Sequence, residues 1–173
     1  CSDFLNQEPK TSLTEQEAFS NLENIAPTVD GLYTAFRDSK SGREGLTFSL
    51  LGLDESKQGI VQMDDAAQAS LDLYNGLLNS MSTQVDKMWS RRWPIVISAA
   101  NAIYALDVLS ETTQDEDTLD RIKRLKGEAC FIRAMVMMEL TMYWGEIPVV
   151  DIAKMENSAR QPLEKVWKQI FDD

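Results

Sequence analysis

The chain has 173 residues, 28 acidic against 17 basic side chains, and no histidine, for a formal net charge of −11. That balance excludes a nucleic-acid groove, which needs clustered Lys and Arg to displace counterions, and it disfavours binding an anionic membrane by charge alone. The missing imidazole removes Ser-His and Cys-His nucleophile pairs and the commonest zinc ligand.

Residues 1–12 are polar around Pro9 and read as a tether. "TEQE" at Thr14–Glu17 is a capping box, in which a Thr hydroxyl and a Glu carboxylate satisfy free backbone donors. A stripe at Phe19, Leu22, Ile25, Val29, Leu32 and Phe36 has helical spacing. Pro27 lies inside it and predicts two short helices, or one that is kinked or re-started there. Gly42, Gly45, Gly52 and scattered Ser make residues 38–57 a loop with short ordered pieces. A weaker helical signal spans 64–80 through Ala67, Leu71, Tyr74 and Leu78.

The strongest signals follow. Residues 84–109 carry a stripe at Trp89, Trp93, Val96, Ala100, Ile103 and Val108, with Pro94 predicting a kink or a nearby start. The acidic run "TTQDEDT" at Thr112–Thr118 is a turn. The next helix, about 118–144, has the stripe Ile122, Leu125, Ala129, Ile132, Val136, Leu140 and Tyr143. Gly145 permits a left-handed cap and Pro148 stops continuation. Residues 161–170 begin another helix, with Pro162 in its first turn. No convincing strand is present, so the fold class is all-α. The two long helices over 86–144, joined by a short turn, suggest a tetratricopeptide-like pair. No apolar run approaches the ~18–20 residues that span a bilayer. The nearest, 129–144, is interrupted by Arg133 and Glu139.

As a linked set, several of these segments carry a resemblance. "WSRRWPIVISAAN" (Trp89–Asn101) followed by "RLKGEACFIRAMVMMELTMYWGEIPVV" (Arg124–Val150) resembles the SusD/RagB family of outer-membrane nutrient-binding lipoproteins from Bacteroidetes. "CSDFLNQEP", "GLYTAF", "GLDES" and "LEKVWKQIFDD" fall in the family's order. Pro94 beside Trp93, and Cys130 at a more often polar position, depart from the family pattern. Family members are several times longer, so the resemblance implies an incomplete N-terminal portion: a tether at 1–12 and a SusD-like helical domain at 13–173. It also implies that Cys1 carries the lipid anchor, its thiol a diacylglycerol, with the protein held at the cell surface. Each buried CH₂ contributes roughly 0.8 kcal/mol to such anchoring.

The function so implied is non-catalytic. The protein would capture oligosaccharides and deliver them to a TonB-dependent, SusC-like barrel. A peptide-binding role, as in the RagB branch, is one alternative, and a helical adaptor that binds no nutrient is another. In the family, the N-terminal share of the ligand surface comes from the interval that is Gln58–Lys87 here. Its candidate ligand-binding residues are Gln62, Asp65, Gln68, Asn75 and Tyr74, the interval's one aromatic. Tyr74 also sits on the helical stripe, where core packing is the expectation.

The remaining singled-out residues read as structural. Trp89 and Trp93, four apart, suit core packing, and Asn101 suits an interhelical hydrogen bond. Glu128 and Arg133 suit a shared polar network, Cys130 a buried inert thiol, and Met135–Met142 core filling. Asp54–Glu55, Asp64–Asp65 and Asp115–Asp117 read as solvated loop charge. A calcium site at Asp115–Asp117 lacks the Gly and Glu spacing of an EF-hand loop, and a glycosidase needs two carboxyl groups facing across a cleft. No metal and no cofactor beyond the lipid is expected.

Overall fold

The computed structural model describes residues 21–41, 45, 47, 49–57, 59, 66–150 and 159–173. Among them the fold is all-α, as the sequence predicts. The elements are α1 (Leu22–Lys40), α2 (Ala66–Leu73), α3 (Thr83–Thr112), α4 (Glu116–Trp144) and α5 (Leu163–Asp172). Two isolated bridges, Leu53 with Ser56 and Pro148 with Arg160, are the extended pairings among the described residues. The Thr14–Glu17 box and Phe19 lie outside the described residues.

α3 and α4 form the predicted hairpin and pack along one another. The acidic run between them is helix-start chemistry. Asp115 is the N-cap of α4, its carboxylate accepting the Thr118 N–H at 2.9 Å and the Thr118 hydroxyl at 2.5 Å. Those bonds from Thr118 hold the Asp115 carboxyl below its ordinary pKa. Glu116 and Asp117 fill the first turn, where the helix dipole favours negative charge, so α4 begins two residues earlier than expected. At the other end Gly145 takes φ +72° and ψ −112°, a positive-φ conformation that suits glycine but lies outside the left-handed helical cap expected, and its N–H reaches the Thr141 carbonyl at 2.8 Å.

The prolines do not divide their helices. α1 starts at the Asn21 cap, whose Oδ1 accepts the Glu23 N–H at 2.9 Å, and runs on through Pro27; α3 runs on through Pro94. Both rings are exposed, as are Glu23 and Ser90, whose carbonyls lose a helical partner. Water can serve those carbonyls, which lowers the penalty of an internal proline. Pro162 sits one place before α5, as its N-cap residue, not within the first turn.

α2 is shorter than predicted. It stops at Leu73 because Tyr74 adopts φ +47° and leaves the helix. Asn75 Oδ1 then accepts the Leu77 N–H at 3.0 Å, and Asn79 Oδ1 accepts the Met81 N–H at 2.8 Å. Such local amide bonds offer the backbone an alternative to the helical ladder.

The core lies where α1 crosses the hairpin and α5 covers α4. It takes Leu22, Ile25, Val29 and Leu32 from α1, Val96, Ile103 and Leu106 from α3, and Ile122, Ile132, Val136 and Leu140 from α4. Val166 and Ile170 of α5 and Ile147 complete it. α3 is long and apolar enough by length and composition to cross a membrane, which corrects the placement of the most apolar run at 129–144. Here much of that apolar surface is core, against α1 and α4.

Several structural expectations are revised. Glu128 and Arg133 do not share a network. The Arg133 guanidinium makes a two-point contact with the Asp173 carboxylate, with Nε at 2.7 Å, which clamps the end of α5 to α4. Glu128 instead bonds Tyr33 of α1; partial burial, then the Glu128 charge and hydrogen bond, raise the Tyr33 pKa. Asn101 is half-buried, and among the described residues no interhelical hydrogen bond holds it. Cys130 is half-buried, and burial followed by the Asp173 charge pushes its thiol up, as suits an unreactive sulfur. Of the Met-rich stretch, Met137 is core, whereas Met142 is exposed.

Candidate functional site

A cavity of about 330 Å³ opens where the turn around Gly52, the end of α2, the start of α3 and the end of α4 converge. Leu51, Leu71, Leu78 and Val85 give it aliphatic walls. Tyr74, Tyr143 and Trp144 give it three aromatic rings. Sites of this kind, largely apolar with a few polar groups, are where small ligands are usually held.

Tyr74 corrects the core-packing expectation. It is 69% exposed, and its hydroxyl donates to the Gly52 carbonyl at 2.8 Å. Gly52 is itself left-handed, at φ +78°. A Cβ on Gly52 would stand 2.5 Å from the Tyr74 hydroxyl and 2.7 Å from the Leu71 carbonyl oxygen. The "GLDES" turn is thus pinned against the ring by a contact that only glycine permits. A non-glycine residue at positive φ is uncommon, and its strain has to be held by such neighbours.

Tyr143 and Trp144, from the end of α4, begin an aromatic series that runs from the cavity into the hairpin. Tyr143 meets Trp144 edge-on at 6.0 Å, Trp144 meets Trp89 edge-on at 5.3 Å, and Trp89 stacks on Trp93 at 5.0 Å. Trp89 and Trp93 are packed against the core, as expected, and Trp89 supports a ring of the cavity wall.

The same helices hold a buried charge cluster. Arg92 of α3 is 2% exposed; it reaches Glu139 of α4 at 3.0 Å, and Lys40 of α1 reaches the other Glu139 oxygen at 2.5 Å. Burial alone would raise the Glu139 pKa, but the hydrogen bonds and charges of Arg92 and Lys40 outweigh it and hold the carboxyl below its ordinary value. Tyr143 responds to this cluster. Burial, then the Glu139 charge, raise its pKa against an opposing effect of Arg92. Among the described residues Arg92 Nε, Ser82 Oγ and Thr141 Oγ1 are buried without a hydrogen-bond partner.

The sequence-based site residues are only partly gathered here. Tyr74 lines the cavity, and Asn75 is the exposed next residue, its Oδ1 engaged in a local turn. Gln68 is buried on α2 and has a polar partner, so it does not offer a free amide. Cys1, Gln62 and Asp65 lie outside the described residues. Gly52, Tyr143 and Trp144 were not anticipated as part of a site. The signal for the last two was an aromatic pair directly before a helix-ending glycine, where side chains gather at the hairpin's open end. Among the described residues no group of His, Cys, Asp and Glu is placed to hold a metal ion.

Fold and cleft together describe an all-α domain with an aromatic-walled recess at one end of its helical hairpin. Over residues 3–173 the chain matches the SusD-like family described as "Starch-binding associating with outer membrane", and it belongs to that family. It is also similar to the SusD-like protein P2 of Formosa agariphila, at 21% identity over 180 residues, covering 100% of this chain and 34% of that protein. The chain therefore spans about a third of the length of the curated relative it matches.

Proposed function

We propose that the chain is the N-terminal helical part, residues 13–173, of a surface lipoprotein that captures oligosaccharides and passes them to a TonB-dependent, SusC-like barrel. The observation that carries this reading is the family match over residues 3–173, a family described as starch-binding and associated with the outer membrane. The role is binding without turnover. The α3–α4 hairpin serves as a tetratricopeptide-like scaffold. A lipid on Cys1, which the family resemblance implies, holds the domain to the membrane, with residues 1–12 as spacer. Tyr74 and Asn75 are the candidate ligand contacts that sit at or beside the aromatic cleft. Gln62, Asp65 and Gln68 complete the sequence-based set.

A second reading, capture of basic peptides, is favoured by the net charge of −11. Calorimetric titration with starch oligosaccharides and with a basic peptide mixture separates the two. Starch-oligosaccharide binding without release of new reducing ends supports the proposal. Heat only with peptides sinks it in favour of the second reading, and release of reducing ends sinks the non-catalytic role. Co-purification with a large barrel from native membranes tests the delivery step, and its absence would leave an adaptor role.

A further inference from the structure

α5 carries more apolar surface than the fold covers. At about 100° per residue, Val166, Ile170, Leu163, Trp167 and Phe171 form one apolar arc of roughly 140°. Val166 and Ile170, at one edge of the arc, belong to the core. Leu163, Trp167 and Phe171 continue it, four residues apart. Leu163 and Phe171 are exposed, and Trp167 is half-buried. The Trp167 and Phe171 rings stack at 5.8 Å, so the stripe is a continuous plate. Water already has its own face of this helix, in Glu164, Lys165, Lys168 and Asp172. The direction of the stripe is fixed, because Arg133 holds the Asp173 carboxylate, which also accepts the Gln169 amide at 2.8 Å.

We propose that the Leu163–Trp167–Phe171 stripe is the seat of a further amphipathic helix, supplied by the same polypeptide beyond Asp173. The proposal rests on the reading of this chain as the N-terminal part of a longer protein, which the matched relative supports, since the chain covers 34% of that protein. Three side chains fall well short of the about 20–30 residues a side that a stable interface between separate molecules uses. A tethered segment needs less, because a short linker holds it at an effective concentration on the order of millimolar. Two copies of a chain at −11 also repel each other. A lipid surface suits the stripe poorly, since the exposed charges of α5 balance, Lys165 and Lys168 against Glu164 and Asp172, without the basic excess of interfacial helices. A link of about 2–5 residues is enough to bring a helix back antiparallel along α5. That helix should present apolar residues three and four apart to the stripe and turn its polar face outward.

The test uses the protein as purified from its native membrane. Hydroxyl-radical labelling read by mass spectrometry reports the exposure of Phe171 without any substitution. The expected result is loss of labelling at Phe171, whose ring is 80% exposed in the fold of this chain alone. A benzophenone photo-crosslinker in place of Phe171, irradiated in cells, then identifies what covers it. The expected product is an intramolecular cross-link to a peptide that follows Asp173, at the mass of a single polypeptide. Strong labelling of Phe171 would overturn the proposal. So would a cross-link to a second copy, to another protein or to lipid, and so would protection without an intramolecular cross-link. Each of those outcomes leaves the glycan-capture reading standing, to be decided by the sugar titrations. An intact mass that corresponds to residues 1–173 alone would overturn both the proposal and the reading of the chain as an N-terminal part.

Discussion

At the scale of single residues the cleft depends on one glycine and one tyrosine in left-handed conformation. Gly52 lies at φ +78° with the Tyr74 hydroxyl and the Leu71 carbonyl in the space a methyl group would take. Gly52→Ala should therefore lower stability by about 1–2 kcal/mol from the backbone alone, read as a fall in denaturation midpoint at unchanged slope. Because the intruding atom meets a backbone carbonyl, the turn must also shift, and sugar binding should weaken with it. Tyr74→Phe keeps the ring and removes only the 2.8 Å bond to Gly52, so it should weaken binding more than it lowers stability. Neither feature was legible in the sequence. Tyr74 follows the α2 stripe at helical spacing, and only the competing amide bonds of Asn75 and Asn79 take it off the helix. Asn-rich spacing after an apolar stripe is the signal that would have ended the helix in time.

At the scale of elements, periodicity read well wherever burial decides. Five of the seven residues on the predicted α4 stripe, Ile122, Ala129, Ile132, Val136 and Leu140, are in the core. Tyr143 leaves it because the helix ends one residue later, at Trp144, and its ring lines the cleft. The charged residues were read less well, since partners far apart in sequence have no local signature. Arg92 lies one helical turn before Val96, and Glu139 stands beside Leu140. A charge beside a buried stripe on each arm of a hairpin is the pattern that points to a cross-helix pair.

That pair sets two expectations of different size. Glu139→Ala leaves Arg92 buried without its countercharge and should cost about 3–5 kcal/mol. Lys40→Ala removes the half-exposed partner of the same carboxylate and should cost no more than about 1 kcal/mol. Denaturant titration of the two variants checks the ranking, and equal losses would mean that Lys40, not Arg92, carries the cluster. The clamp at the other end behaves differently. Arg133→Met should leave α3 and α4 protected from amide hydrogen exchange while α5 exchanges faster, because Arg133 and Asp173 tie α5 at its end.

At the scale of the whole molecule the charge pattern predicts how stability follows pH. Falling from neutral pH toward the sequence pI of about 4.5 relieves the self-repulsion of a chain at −11, so stability first holds or rises slightly. Glu139 then acts in the opposite direction. Its native pKa is below the ordinary 4.5, so the unfolded chain binds the proton more readily. Its contribution is fully present above about 4.5 and is lost as pH falls through the lower native value. Asp115, held down by Thr118, has the same sign. On the alkaline side Cys130, Tyr33 and Tyr143 have native pKa values raised above their ordinary 9.0 and 10.0. Their neutral forms favour the fold below those ordinary values, and the advantage is lost as pH rises through the raised ones. The thermal midpoint should therefore form a plateau with an acid limb and an alkaline limb. Glu139→Gln assigns the first of these: it should lower the plateau, since Arg92 loses its countercharge, yet flatten the acid limb. An acid limb as steep in the variant as in the unsubstituted chain would mean that other carboxylates govern acid unfolding, and that the buried cluster fixes helix packing without setting the pH range of the fold.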